Sequence, residues 1–189
     1  PFTETLGSLT ARPGFLRLYG RESLQSKFTQ AHVARRWQSF QFDAQTSVEF
    51  QPVSFQQMAG MTCYYNTENW SSFHVTWNES KGRCLDLVVA DNGSFSMPLA
   101  GQEIPVPEDV KAVHFKVEVR GRSYRYGYSL DGASFTFLPV TLASWKLSDD
   151  YVRGGGFFTG AFVGMNCIDI TGTALPADFD YFSYKELEK

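Results

Sequence analysis

Polar and apolar residues alternate along several short stretches of the chain, and turn-forming residues lie between these stretches. Period-two alternation places successive side chains on opposite faces, which is typical of a half-buried β-strand. The alternating apolar positions are Val48 and Phe50; Phe73, Val75 and Trp77; Leu85, Leu87 and Val89; and Val113, Phe115, Val117 and Val119. Apart from a short helical turn predicted near 143–147, the chain shows no long helical period. The pattern therefore predicts an all-β fold.

The predicted strands are separated by turn signals. Asn92-Gly93 and Asp131-Gly132 are the strongest hairpin markers, because these residue types accept the backbone angles of tight turns. Strands at this spacing predict a two-sheet antiparallel β-sandwich of the jelly-roll type. We expect a single domain over 1–189, in which 1–13 is a linker or a strand entry. Since the chain starts at Pro1 rather than at Met, we also expect it to be excised from a larger protein.

Composition narrows the choice of partners and of compartment. The chain has 17 Lys and Arg against 20 Asp and Glu, for a formal net charge of -3. This balance does not favour nucleic acid or an acidic membrane as a partner, and no apolar run approaches the roughly 20 residues that span a bilayer. The 3 cysteines are an odd number without metal-ligand spacing, which predicts reduced, buried thiols and a cytoplasmic protein.

Side chains that could carry catalysis or bind a metal do not cluster in the sequence. Asp149 and Asp150 are adjacent, so in an extended segment they point in opposite directions, and a role in a loop is favoured over an acid/base pair. Asp178 and Asp180 share one face of a predicted terminal strand that has no visible cleft. The histidines lie in separate segments, at His32, His74 and His114. We therefore expect no catalytic residue, no metal and no cofactor in this chain.

The segment 148–160 contains three consecutive glycines, Gly154, Gly155 and Gly156, followed by Phe157 and Phe158. Glycine lets a backbone approach a neighbour closely, whereas an exposed phenylalanine is unfavourable unless something covers it. One hypothesis is a finger that reaches into the pocket of a partner. The alternative is an ordinary turn whose two rings fold back into the local core.

Aromatic side chains in 64–77 suggest a second kind of site, because aromatic rings stack on the apolar faces of sugars. Tyr65 and Trp70 are the candidates, and Trp70 is expected to be exposed because it follows the turn-forming residues 66–69. Phe73 and Trp77 are in register with Val75 and are expected in the core.

Longer blocks of sequence carry a family resemblance. They read FQP at 50–52, FQQMAG at 55–60, YYNT at 64–67, NW at 69–70, HVTW at 74–77, KLSDDY at 146–151, GAFVGM at 160–165 and ADFDYF at 177–182. Together these blocks resemble the C-terminal concanavalin A-like β-sandwich domain of bacterial β-xylosidases of glycoside hydrolase family 43. In such enzymes an N-terminal β-propeller, which this chain does not contain, carries the catalytic carboxylates. The resemblance therefore implies that the chain by itself is not an enzyme.

The resemblance also implies specific roles. The domain is expected to pack on the β-propeller of a parent exo-β-1,4-xylosidase that degrades xylo-oligosaccharides. The parent enzyme could also have α-L-arabinofuranosidase activity. Phe158, or Phe157, would line the substrate pocket, and the three glycines would serve as the loop hinge. Arg153 and Tyr151 would lie at the interface, where Arg153 is expected to keep its charge in water rather than pair with a carboxylate. The full-length protein is expected to be a homo-oligomer.

Two alternatives remain open beside this assignment. The chain could be a stand-alone carbohydrate-binding module for xylan-type sugars that uses Trp70 and Tyr65. It could also be a purely structural or oligomerisation domain.

Overall fold

The computed structural model describes residues 3–153 and 158–187, which form two β-sheets packed face to face. A short 3₁₀ helix, Ser144–Leu147, agrees with the helical turn predicted near 143–147. The strands are β1 (Gly7–Ser8), β2 (Leu16–Tyr19), β3 (Ala31–Arg36), β4 (Gln41–Glu49), β5 (Gln57–Asn66), β6 (Asn69–Asn78), β7 (Gly82–Asp91), β8 (Ser94–Ser96), β9 (Ile104–Pro105), β10 (Ala112–Arg120), β11 (Ser123–Ser129), β12 (Thr136–Phe137), β13 (Leu142–Ala143), β14 (Phe162–Asp169) and β15 (Pro176–Glu186).

Sheet A has eight strands in the described part of the chain, in the order β1-β2-β15-β4-β10-β11-β12, with β13 pairing to β11. Sheet B has seven strands over the same residues, in the order β3-β14-β5-β6-β7-β8, with β9 pairing to β7. The central pairs of both sheets are antiparallel. This architecture confirms the predicted all-β, two-sheet antiparallel sandwich.

The core lies between the two sheets and is built from the alternating positions. Phe73 of sheet B is fully buried and packs edge-on against Phe115 of sheet A, with ring centroids 5.1 Å apart. The three cysteines are free and buried, as predicted. Both predicted hairpin markers form turns: Asn92 and Gly93 have φ of 47° and 80°, and Gly132 has φ of 76°. Local turn chemistry therefore sets the strand boundaries.

Part of the outer face of sheet B is covered by the segment 20–30. Leu24 of this segment is 1% exposed and packs with apolar side chains from the outer faces of β5, β6, β7 and β14. The amide of Gln30 donates hydrogen bonds to the backbone carbonyls of Leu24 and Ser26, at 3.1 and 2.6 Å. Sheet B is therefore buried on both faces over much of its area.

The N-terminal residues lie against sheet A. Strand β1 pairs with β2, and Arg12 forms salt bridges with Glu49 and Asp178 at 3.0 and 2.9 Å. Within 3–153 and 158–187, no helix has the length and apolar character needed to cross a membrane. The same residues contain no group of three or more His, Cys, Asp or Glu side chains arranged to hold a metal ion.

Candidate functional site

The segment 148–160 connects the 3₁₀ helix to β14 at one end of the sandwich, and we refer to it as the Phe loop. The same end carries the turn between β5 and β6 and the turn between β7 and β8, because Trp70 lies opposite both Tyr64 and Ala90 in the strand register. Residues 154–157 of the Phe loop lie outside the described residues. The predicted hinge glycines and Phe157 are among them.

The turn between β7 and β8 holds the first half of the Phe loop. Asp91 accepts a hydrogen bond from Lys146 Nζ at 2.6 Å through Oδ2 and another from the Tyr151 hydroxyl at 2.8 Å through Oδ1. The next residue, Asn92, accepts a hydrogen bond from the backbone N–H of Arg153 at 3.1 Å. Partial burial opposes ionisation of Asp91, but the hydrogen bonds from Lys146 and Tyr151 prevail and lower its pKa. A charged carboxylate therefore anchors this half of the loop.

Tyr151 and Lys146 also make contacts through aromatic rings: Tyr151 packs against Trp145, and Lys146 lies over the Tyr151 ring. The rings of Tyr151 and Trp145 meet edge to face at a centroid distance of 4.9 Å, and Lys146 Nζ lies 5.6 Å from the centroid of the Tyr151 ring. The hydrogen bond to Asp91 raises the pKa of Lys146. Tyr151, which was predicted to lie at an interface, is thus engaged within this domain.

The second half of the Phe loop is held by Asp149. Its Oδ1 atom accepts a hydrogen bond from the backbone N–H of Phe158 at 3.1 Å and another from the hydroxyl of Tyr65. Tyr65 is 2% exposed and belongs to the core between the sheets. A buried core side chain is thereby connected through one carboxylate to the backbone of Phe158.

Phe158 itself projects into solvent. Its side chain is 89% exposed, and its φ of 69° is a left-handed conformation that non-glycine residues rarely adopt. An ordinary turn with both rings folded into the core would bury this side chain, and the Phe158 ring is not buried. The finger role of Phe158 stays a prediction. The chemistry available to this surface is apolar contact rather than proton transfer.

The sugar-stacking hypothesis fails at both of its residues. Trp70 lies within β6 rather than in a turn, and it is 5% exposed because Leu24 and Phe95 pack beside it. Tyr65 is 2% exposed. A ring must present an open face to stack on a sugar, and neither ring does so here. The expected exposure of Trp70 was wrong because turn-forming residues before a strand do not reveal what covers that strand.

Asp178, one of the carboxylates considered for catalysis, is paired with two arginines. Asp178 bonds to Arg17 Nε at 2.7 Å and to Arg12 Nη1 at 2.9 Å. Burial of Asp178 opposes ionisation, but the two arginines prevail and lower its pKa. A register shift in β15 between Phe179 and Phe182 interrupts the alternation on which the pairing with Asp180 depended. Asp178 is therefore held in ion pairs that stabilise the fold.

Comparison with known proteins identifies the family of this chain. The family model described as "Beta xylosidase C-terminal Concanavalin A-like domain" matches residues 1–185. The chain belongs to this family. A protein of Escherichia coli (strain K12) is 57% identical over 185 residues, covering 98% of this chain and 34% of its own length. "Beta-xylosidase" of Bacillus subtilis (strain 168) is 56% identical over 186 residues, covering 98% of this chain and 35% of its own length.

A solved structure supports the same family assignment. The crystal structure of xylan beta-1,4-xylosidase from Bacillus halodurans C-125 superimposes with a TM-score of 0.94 at 43% identity, covering 98% of this chain and 35% of that one. The predicted family and the concanavalin A-like fold are confirmed. As a C-terminal β-xylosidase domain, the chain spans about a third of the length of the curated relatives it matches.

A role in this site was not predicted from the sequence for three of its residues, namely Asp91, Asn92 and Lys146. Asn92 had been noted only as a turn former, yet its side chain also bonds to Arg153. Asp91 ends β7 directly before that turn, so its position next to a strong hairpin marker was a usable signal. The contact with Lys146 joins residues 55 positions apart, and no local pattern predicts it.

Proposed function

We propose that this domain packs on the catalytic β-propeller of a β-xylosidase and that its Phe loop closes one side of the active-site pocket. The observation that carries the proposal is the Phe158 ring, which is 89% exposed although the backbone on both sides of the undescribed residues is anchored. Arg153, itself exposed, would lie with Phe158 on the surface facing the propeller.

Two energetic arguments favour a partner for Phe158. Leaving a phenylalanine side chain in water forgoes about 1.5 to 3 kcal/mol that burial would provide. Holding a non-glycine residue in the left-handed region costs roughly a further 1 to 2 kcal/mol. Phe28 is as exposed as Phe158, so exposure alone does not identify a contact surface. At Phe158 the exposure coincides with a left-handed backbone, and we infer that contact with a second surface offsets both costs.

The closing ring would act by shaping the pocket. An apolar wall excludes water and strengthens the electrostatic interactions of carboxylates behind it. A wall on one side also stops a longer chain from passing through, which suits removal of terminal sugars from xylo-oligosaccharides. On this proposal the domain supplies no proton donor and no nucleophile, and the chain alone is inactive on glycosides.

The test compares Phe158→Ala with Phe28→Ala in the full-length enzyme. Phe28 is 91% exposed and lies three residues before β3, whose first residue Ala31 pairs with Cys167, at the end of β14 remote from the Phe loop. We expect Phe158→Ala to lower kcat/KM on xylobiose and on an aryl β-xyloside by about 5- to 150-fold, equivalent to about 1 to 3 kcal/mol. Phe28→Ala should leave kcat/KM unchanged.

Further variants and substrates complete this test. Phe157→Ala, measured in parallel, decides which of the two neighbouring rings faces the substrate. An aryl α-L-arabinofuranoside reports whether the same wall serves a second pentoside. Unchanged kcat/KM in Phe158→Ala and in the double variant would instead support a structural or oligomerisation role. Size-exclusion chromatography of the full-length enzyme tests the predicted homo-oligomer.

A further inference from the structure

We propose that Tyr65 and Asp149 are positioning residues that set the direction of the Phe158 ring. This inference rests on the proposed function, because it concerns the same loop. It gives Tyr65 a different role from the sugar stacking that its sequence context suggested. The two residues act through the backbone of Phe158 and do not contact substrate.

The argument begins with the connection between them. The Tyr65 ring is packed in the core, and its hydroxyl reaches the end of the sandwich, where it donates a hydrogen bond to Asp149 Oδ1. The same oxygen accepts the backbone N–H of Phe158 at 3.1 Å. One carboxylate oxygen therefore joins a rigid core ring to the backbone of an exposed residue.

This connection has a conformational consequence. Phe158 has a φ of 69°, which the chain would leave unless another interaction held it there. Hydrogen bonds to an ionised carboxylate are among the stronger ones in proteins. Since the side chain direction follows from φ, releasing the N–H of Phe158 would allow the ring to turn away from its present direction.

The phenol is suited to a donor role. Burial raises the pKa of Tyr65, and the hydrogen bond to Asp149 raises it further, while a hydrogen bond with Thr159 acts in the opposite direction. Tyr65 therefore keeps its proton near neutral pH and remains a donor to Asp149. Packing of the ring in the core requires no hydroxyl, so the hydroxyl can be removed with the ring left in place.

The first experiment measures the loop in the chain itself. Trypsin cleaves after Arg153, which is exposed on the Phe loop. We expect Tyr65→Phe and Asp149→Ala to increase the rate of cleavage at Arg153 by about 3- to 10-fold, as loss of one or two hydrogen bonds loosens the local structure. The rates at other tryptic sites and the Tm should change little.

Each variant has a matched control. Tyr126→Phe removes another buried phenol hydroxyl, one that bonds to Ser71 instead of the loop. Asp150→Ala removes the neighbouring exposed carboxylate, for which no hydrogen bond is seen among the described residues. Neither control should accelerate cleavage at Arg153. Equal acceleration in the controls, or none in Tyr65→Phe and Asp149→Ala, would overturn the proposal.

The second experiment measures kcat/KM in the full-length enzyme. Tyr65→Phe should lower kcat/KM by about 3- to 10-fold when Phe158 is present and should have no effect in the Phe158→Ala background. An equal loss in both backgrounds would indicate a general structural effect and would overturn the positioning role.

The two experiments separate this inference from the proposed function. If Phe158→Ala leaves turnover intact while Tyr65→Phe still opens the loop to trypsin, pocket closure fails and the positioning of Phe158 stands. If Phe158→Ala lowers turnover while Tyr65→Phe changes neither cleavage nor kcat/KM, pocket closure stands and the positioning role fails.

Discussion

The two sheets of this sandwich differ in what lies on their outer faces. In sheet A, buried and partly exposed residues alternate strictly along most of β10. Its outer face carries a network of charges in which Glu118 bonds to Lys116 and Arg125, each at 2.9 Å. In sheet B, the first eight residues of β6 are all buried, and the outer face holds polar residues such as His74, 1% exposed.

Strands of both sheets show the same polar and apolar alternation, yet the outer face of sheet B is more deeply buried than that of sheet A. Part of the difference comes from the segment 20–30, whose Leu24 packs with Trp70 and Ile168 on sheet B. Period-two patterning therefore assigns residues to faces without revealing whether a distant segment covers one of them. This matters for function, because Trp70, one of the two residues of the binding-module hypothesis, lies on the covered face of sheet B.

The largest effect is expected from uncovering sheet B. Leu24→Ala should lower the free energy of unfolding by about 2 to 5 kcal/mol, because it leaves a cavity among buried side chains. On sheet A, Arg125→Ala should cost less than about 1 kcal/mol, because the Arg125 side chain is 49% exposed and water screens its ion pair with Glu118. Urea denaturation followed by circular dichroism measures both. A smaller loss for Leu24→Ala than for Arg125→Ala would contradict the proposed difference between the two faces.

A second prediction concerns pH and again separates the sheets. Burial lowers the pKa of His74 from 6.5 to about 4. A hydrogen bond with the backbone of Ser72 raises this pKa, but its effect is smaller than that of burial. Between these values the unfolded chain binds the proton and the folded chain does not. Burial lowers the pKa of His32, also in sheet B, to about 4 as well. Each of the two histidines should therefore contribute a fall of about 1 to 3 kcal/mol in stability as the pH drops from 6.5 towards 4.

Urea denaturation across that pH range checks this prediction in wild type and in His74→Gln, which should lose the corresponding slope. His114→Gln is the control for removing a histidine from sheet A, and it should retain the slope that His74 contributes. A slope that persists unchanged in His74→Gln would show that another group is responsible.

A smaller effect is expected from the charge network of sheet A. Partial burial opposes ionisation of Glu118, but hydrogen bonds from Lys116 and Arg125 lower its pKa. This group therefore stabilises the fold above pH 4.5, its ordinary pKa, and the contribution is lost as the pH falls below that value. Glu118→Gln should cost at most about 1 kcal/mol at low salt and less at 1 M salt. A loss independent of salt would argue against an electrostatic origin.

The smallest effect is expected in carbohydrate binding. Because Trp70 and Tyr65 are buried, the chain alone should show no retention on insoluble xylan beyond that of a non-binding control protein. Retention that disappears in Trp70→Ala, with the fold preserved, would reinstate the binding-module hypothesis and would mean that the segment 20–30 opens in solution.

The fold was largely predictable from the sequence, and the site only in part. The alternation around Phe73 and Phe115 and the Asn92-Gly93 turn are local signals, so the strands and their boundaries could be derived. The finger role of Phe158, which stays a prediction, was also proposed from the sequence. Its support by Asp149 and Tyr65 was not, because residues 65 and 149 are brought together only when the sheets form.

By itself, the sequence determined the all-β class, the main hairpin turns and the family, since these depend on short-range periodicity, on turn chemistry and on contiguous blocks of residues. The tertiary structure alone decided that Leu24 covers sheet B, that Trp70 and Tyr65 are buried and that Asp91 and Asp149 both anchor the Phe loop. The physical reason is that burial and hydrogen bonding between distant segments depend on which surfaces meet in space. A pattern read along the chain records only which face of its own strand each residue occupies.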